Sequence, residues 1–286
     1  MKNLGVIANC DKERAPAVLA ELAGIALELE LNLCATGKTA ELLPGIDDEL
    51  RDDVFRDVDA VIALGGDGTM LTAVRSLAGL DKPLLGVNIG SLGFMTSVAE
   101  DDLRSALVCL RDDTYAVSER CVAGAEVNHD GREYVYHALN DVVITSGESA
   151  RVITLGVRVD GKPVTSYMCD GLIISTPTGS TGHSLSAGGP ILTPETPAFV
   201  ISPICPHTLS SRPLVTPDSC LIDVTIERQS GSSRLSVDGQ LCLALDCGDI
   251  LKVRRHSRSV RFLHLPEYDY FDVMRRKLRW RGSNIG

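Results

Sequence analysis

Two glycine-rich stretches hold the residues best suited to chemistry. In Gly65-Gly66-Asp67-Gly68-Thr69 one carboxylate stands between glycines, after the apolar run "DAVIAL" and ahead of "TMLTAVRSLAG". Where a strand of an open α/β sheet gives way to a helix, unpaired N–H groups at the helix start attract negative charge. Glycine lets backbone approach a phosphate closely, but a lone carboxylate is a poor anion binder. Asp67 is suited to take a proton or hold a cation; the alternative is that it caps a helix starting at Thr69. The second stretch, "STPTGSTGHSLSAGGP" over residues 175–190, follows "DGLII" and is dense in glycine and hydroxyl residues. That composition suits hydrogen bonds to phosphate or ribose, with a flexible surface loop as the alternative.

Several motifs are missing, and this narrows the chemistry. No G-x-x-x-x-G-K-[ST] occurs, which excludes a P-loop nucleotidase, and "GVNIGSLG" spaces its glycines wrongly for the dinucleotide fingerprint. "TGSTG" lacks the G-x-S-x-G spacing of a hydrolase elbow, which weakens a Ser-His-Asp reading of Ser180 and His183. The six histidines form no H-E-x-x-H pair.

The elements that must position these loops fall into two textures. Over the first ~115 residues, strand-like runs ("LGVIAN", "LNLCA", "DAVIALGG", "PLLGVNIG") alternate with helix-like ones ("PAVLAELAGIALELE", "TMLTAVRSLAG", "DDLRSALVCLRD"), the pattern of a parallel sheet flanked by helices. From about Ser118 short β-branched runs take over. Asp130-Gly131, Asp160-Gly161 and Asp238-Gly239 each lie between strand-like flanks, where Asp-Gly supplies the positive φ angles of a tight hairpin. The second domain is therefore expected to be mostly antiparallel β. A length of 286 residues accommodates both.

The formal net charge of −10 argues against a general polyanion binder. Charge is uneven: residues 251–286 carry ten Lys or Arg against three acids, a basic tail expected to fold back on the acidic body or on a neighbouring subunit. Nine cysteines without C-x-x-C pairs point to reduced thiols. With no signal-peptide pattern and no spanning segment, a soluble protein is expected.

Six motifs, "GGDGTML", "GVNIGSLGF", "LNDVVI", "DGLIISTPTGSTGHSLSAGGPI", "ISPICPHTLSSRPLV" and "VDGQ", together resemble the NAD kinase family in order and spacing, over nearly the whole chain. The resemblance implies an α/β domain (1–117) carrying the GGDGT loop, a β-rich domain (118–265) carrying NAD-binding loops, a basic tail (266–286), and a cleft between the domains. It implies transfer of the γ-phosphoryl group of ATP to the 2′-hydroxyl of the adenosine ribose of NAD. Asp67 would be the proton acceptor, and Gly65, Gly66, Gly68 and Thr69 the phosphate loop. Asp67, Gly68, Asn140, Asp141, Arg151, Asp170 and Gln240 would contact NAD, and Thr181, Gly182, His183, Ser184, Leu185 and Ser186 would wrap it. A divalent ion, Mg²⁺, would arrive on ATP, with no protein metal site. A cytoplasmic homo-oligomer, dimer or tetramer, is also implied, without nucleic-acid or membrane partners. Two departures stand out: Gly182-His183 where the family commonly has Ala-Tyr, and Met168 where several members carry a basic residue. A lipid kinase sharing the GGDGT loop and a dinucleotide sensor without turnover are the competing readings; the acidic body opposes the first and the retained Asp67 the second.

Overall fold

The computed structural model describes residues 1–45, 54–77, 79–90, 93–147 and 152–280. Two compact units appear: residues 1–118 with 260–286, and residues 119–259. The first begins with strand β1 (Asn3–Ala8), then helix α1 (Ala15–Glu28), strand β2 (Asn32–Ala35) and a short helix α2 (Gly37–Leu42). Pro16 lies in the first turn of α1, where its missing N–H costs no helical bond. Val18, Leu19, Leu22, Ile25 and Ala26 make the buried stripe of that helix. Helix α2 escapes the sequence pattern because six residues are too few to display a period.

Strand β3 (Ala60–Gly65) leads into helix α3 (Asp67–Ser76), followed by strands β4 (Leu84–Asn88) and β5 (Val98–Ala99), helix α4 (Leu103–Arg111) and strand β6 (Ala116–Arg120). Every residue of β3 and β4 is buried, so these strands read as unbroken apolar runs rather than alternating ones. Strands β1, β2, β3 and β4 pair in parallel, as the strand–helix alternation requires.

The second unit contains strands β7 (Ala123–His129), β8 (Arg132–Ala138), β9 (Asp141–Ser146), β10 (Ile153–Val159), β11 (Lys162–Cys169) and β12 (Gly171–Ser175). A 3₁₀ turn (Thr178–Thr181) and helix α5 (His183–Ser186) follow. Strands β13 (Ala198–Ile204), β14 (Leu214–Pro217), β15 (Ile222–Arg228), β16 (Ser233–Val237), β17 (Gln240–Leu245) and β18 (Ile250–Arg255) complete it. They form two six-stranded sheets, ordered β11-β10-β15-β18-β7-β8 and β14-β13-β12-β9-β16-β17. The strand pairings of both are antiparallel. Leu155, Val157, Val224 and Val253 of one sheet share a core with Ile144, Ile174, Phe199 and Leu235 of the other. The three Asp-Gly pairs join β7 to β8, β10 to β11 and β16 to β17, with φ of 49° and 71°, 50° and 74°, and 49° and 76°. Both residues are left-handed, the conformation a two-residue hairpin turn demands.

The chain then returns to the first unit as strand β19 (Val260–His264) and helix α6 (Tyr270–Leu278). Its sheet runs β2-β1-β3-β4-β19-β6, with β5 on the far end of β4. Residues 260–264 therefore complete the first sheet, which corrects a β-rich domain reaching residue 265. A strand's composition reveals its burial but not its sheet, and Phe262 and Leu263 are as buried as any strand residue of the second unit. The described part of the basic tail, residues 266–280, belongs to the first unit. Asp269 caps α6 by accepting from the Phe271 N–H (2.9 Å), Val273 and Met274 are buried, and Lys277 Nζ lies 6.0 Å from the ring centre of Phe94.

Candidate functional sites

Helix α3 begins at Asp67, two residues before the start expected at Thr69, with Gly66 in extended backbone ahead of it. The Gly66 N–H donates to Thr69 Oγ1 (3.3 Å) and the Thr69 N–H to the Gly66 carbonyl (2.9 Å), which closes the turn without Asp67. The Asp67 carboxylate is held elsewhere. Its Oδ1 accepts from the Met95 N–H (2.9 Å) and its Oδ2 from the Phe94 N–H (3.0 Å), so both oxygens are fixed while each keeps further lone pairs.

The glycines of this region divide by role. A Cβ on Gly65 would overlap Thr69 Oγ1, and one on Gly93 would overlap Asp67 Oδ1, so these two permit close packing around the turn and the carboxylate. Gly66 and Gly68 face open space. They line a crevice of about 450 Å³, together with Asn9, Lys12, Lys38, Thr39 and Thr72. Lys12 Nζ donates to the Ile89 carbonyl (2.7 Å). Two ammonium groups beside bare glycine backbone at a helix start are the ingredients of a phosphate site. Sequence reasoning overlooked Asn9, Lys12 and Lys38. For Asn9 and Lys12 the signal lay in "ANCDK" after β1, and it becomes visible only once β1 is known to lie against β3.

In the second unit, Asn140 and Asp141 open strand β9 and are stitched to the loop after β12. The Asn140 carbonyl accepts from the Thr176 N–H (2.9 Å) and Ser175 Oγ (3.3 Å), and the Leu139 carbonyl accepts from Thr176 Oγ1 (2.5 Å). Gly179 presses on this backbone, since a Cβ there would lie 2.5 Å from the Asn140 carbonyl carbon. The structure thus brings Asn140 and Asp141 together with the Thr178–Ser186 segment. Asn140 Oδ1 and Thr178 Oγ1 are buried and have no hydrogen-bond partner among the described residues. Orphaned polar atoms of this kind are uncommon and mark a place where a ligand's polar groups fit.

Asp141 is 5% exposed, and its pKa is pushed up to about 7, first by burial and then by the negative charge of Asp238. A folded-state pKa above the unfolded value means that stability falls as pH rises through that window, from about 4 to about 7. The expected loss is on the order of a few kcal/mol. Urea melts across this range should show the decline in the wild type and a flatter profile in Asp141→Asn; equal slopes would refute the assignment.

The remaining expected contacts are less uniform. Gly182, His183 and Ser186 are exposed and Leu185 is partly so, while Thr181 Oγ1 donates to the Thr178 carbonyl (3.3 Å). Ser184 turns inward: the residue is buried and its hydroxyl bonds Ser202 Oγ (3.0 Å). Asp170 sits at the opposite end of β12 from Ser175 and is not brought beside Asn140; its Oδ1 lies 3.9 Å from His207 Nε2. Met168 is half-exposed on β11, and its carbonyl accepts from the His207 N–H (2.8 Å). Gln240 is exposed just past the β16–β17 turn. Arg151 lies outside the described residues. Ser180 donates to the Pro177 carbonyl (2.7 Å) and accepts from the Leu192 N–H (2.9 Å) in a buried setting, which disposes of a hydrolase nucleophile.

A fixed carboxylate at a helix start, open glycines facing a lysine-bearing crevice on a parallel sheet, and an antiparallel unit with buried polar atoms in its loop are the parts that a phosphotransferase handling a nucleotide needs. Residues 4–115 match the ATP-NAD kinase N-terminal domain and residues 139–265 the ATP-NAD kinase C-terminal domain. The chain belongs to the NAD kinase family. It is 39% identical to the NAD kinases of Geotalea daltonii and Geobacter metallireducens, in each case over 98% of this chain and 99% of the relative. Among solved structures it is similar to yeast NADH kinase complexed with NADH, with a TM-score of 0.92 and 26% identity over 99% of this chain and 89% of that one. An NAD kinase from Archaeoglobus fulgidus in complex with ATP shares the fold, with a TM-score of 0.76 and 23% identity over 98% and 100% of the two chains.

Proposed function

We propose that this protein is an NAD kinase that transfers the γ-phosphoryl group of ATP to the 2′-hydroxyl of the adenosine ribose of NAD, giving NADP. The observation that carries the reading is the fixed carboxylate of Asp67 at the start of α3, with Gly66 and Gly68 open to a crevice that also holds Lys12 and Lys38. Asp67 accepts the ribose proton as the phosphoryl group arrives. Phosphoryl transfer passes through a loose transition state, so the carboxylate acts chiefly by orientation and late proton acceptance. The lysines and the glycine N–H groups hold phosphate oxygens. NAD recognition falls to Asn140, whose Oδ1 suits an N–H or O–H of the dinucleotide, with Asp141, Thr178 and the exposed residues Gly182, His183 and Ser186.

The donor set of the crevice fits a divalent ion that comes with the donor. Its walls offer Asp11, which is exposed and 3.8 Å from Lys38, and Asp67, already accepting two N–H groups, lies in sequence between the lining residues Gly66 and Gly68. Mg²⁺ is commonly held by one or two carboxylates plus substrate phosphates and keeps several waters. Bound in this way it would neutralise phosphate charge. Among the described residues no helix is long and apolar enough to cross a membrane. We place the enzyme in the cytoplasm as a homo-oligomer, on the strength of the family.

The test is NADP formation from NAD with ATP and Mg²⁺, with polyphosphate as a second donor and NADH as a second acceptor. Turnover of NAD is the expected result. A folded protein that binds NAD and forms no NADP with either donor would overturn the kinase reading and favour a sensor.

A further inference from the structure

The turn between β16 and β17 reaches the backbone that opens β9. Asp238 Oδ1 accepts from the N–H groups of Asn140 (2.7 Å) and Asp141 (3.2 Å), and Oδ2 from that of Leu139 (2.9 Å). The Asp238 N–H donates to the Asp141 carbonyl (3.0 Å) in return. Successive backbone N–H groups converging on one site form an anion-binding concavity, filled here by the protein's own carboxylate. The turn geometry alone does not require this. Asp160 occupies the same left-handed position between β10 and β11, and its carboxylate accepts a single backbone N–H, that of Leu221 (2.9 Å).

What the clamp holds is the polar end of the dinucleotide site. The backbone of Asn140 is held by Asp238 at its N–H and by Thr176 at its carbonyl, with Gly179 packed against it, and its Oδ1 is buried without a partner among the described residues. We propose that Asp238 is a positioning residue for NAD binding: its carboxylate, closed on three successive backbone N–H groups, fixes the directions in which Asn140 and Asp141 present their side chains to the dinucleotide. This inference rests on the NAD kinase reading above. A second effect follows from charge. Opposite Asp141, β12 places Ser175 and β16 pairs Val237 with Val142, so neither strand brings a charge to those positions. The charge that acts on Asp141 is that of Asp238, which adds to burial in favouring the protonated form. Protonated Asp141 donates an O–H to the ligand, whereas ionised Asp141 only accepts.

The experiment compares wild type, Asp238→Asn, Asp141→Asn and Asp160→Asn by steady-state kinetics with NAD and ATP from pH 5.5 to 8.5, with thermal melts of each. Asparagine tolerates the left-handed position, so the turn survives in Asp238→Asn while the charge and one acceptor are lost. The expected result is a rise of roughly tenfold or more in KM for NAD, with kcat and KM for ATP little changed. The inflection of KM for NAD against pH should move to lower pH in Asp238→Asn, vanish in Asp141→Asn and stay in place in Asp160→Asn. An unmoved inflection with unchanged KM for NAD in Asp238→Asn overturns the proposal, as does an equal KM effect in Asp160→Asn. Wild-type turnover of NAD is read first; its absence tells against the kinase reading rather than against Asp238.

Discussion

Asp67→Asn should turn NAD over at least about a hundredfold more slowly than the wild type while binding NAD nearly as well. General-base assistance contributes about 10² to 10⁴ in rate, and the amide cannot take the ribose proton. The substitution also touches structure. One Asn oxygen can still accept from Phe94 or Met95, but the amide NH₂ then faces the other N–H, which costs about 1–3 kcal/mol of local stability. The loss must therefore appear in kcat with a cooperative melt retained. A variant within tenfold of wild-type kcat would remove Asp67 from proton transfer and leave it as the anchor of residues 94 and 95.

Gly179→Ala should damage the second unit more than any exposed substitution. The added Cβ would overlap the Asn140 carbonyl oxygen and lie 2.5 Å from its carbon and 2.7 Å from its Cα. All three are backbone atoms, pinned from the far side by Asp238, so no flexible side chain can give way. Either the 3₁₀ turn at Thr178–Thr181 or the start of β9 has to move. Forced overpacking of this kind typically costs about 1–3 kcal/mol or more. NAD affinity should fall by roughly tenfold or more, since loss of one hydrogen bond at Asn140 is enough for that. Urea melts and NAD titration check both. Gly24→Ala in α1, where a Cβ meets nothing within 4 Å, is the control and should be neutral or slightly stabilising. Unchanged stability and affinity in Gly179→Ala would mean that the contact between the two segments is looser than this geometry.

Much of this arrangement was legible in the sequence, for local reasons. Strands β3 and β4 are buried on both faces and so announce themselves as apolar runs, and the Asp-Gly turns carry their own φ requirement. What escaped was everything that depends on distant segments meeting. Asp238 reads as a turn residue because its partners lie about a hundred residues earlier in the chain. Lys12 reads as a surface charge until β1 is set beside β3. Ser184 reads as a ligand hydroxyl until Ser202 claims it. Strand β19 has the texture of the unit it follows and the sheet of the unit it rejoins.

That return of the chain has a consequence for biosynthesis. Residues 119–259 form an insertion within the first unit, and the Ser259 hydroxyl donates to Glu119 Oε2 (3.1 Å), so the two points where the insertion leaves and rejoins its host are side by side. The host sheet lacks a strand between β4 and β6 until residues 260–264 leave the ribosome, whereas all twelve strands of the insertion are already made. Domains generally fold as units during synthesis. In this chain the inner unit should fold first and the outer one last, although the outer one begins at the N-terminus, so a nascent chain stalled before residue 260 would carry a finished β unit on an open, unfinished sheet.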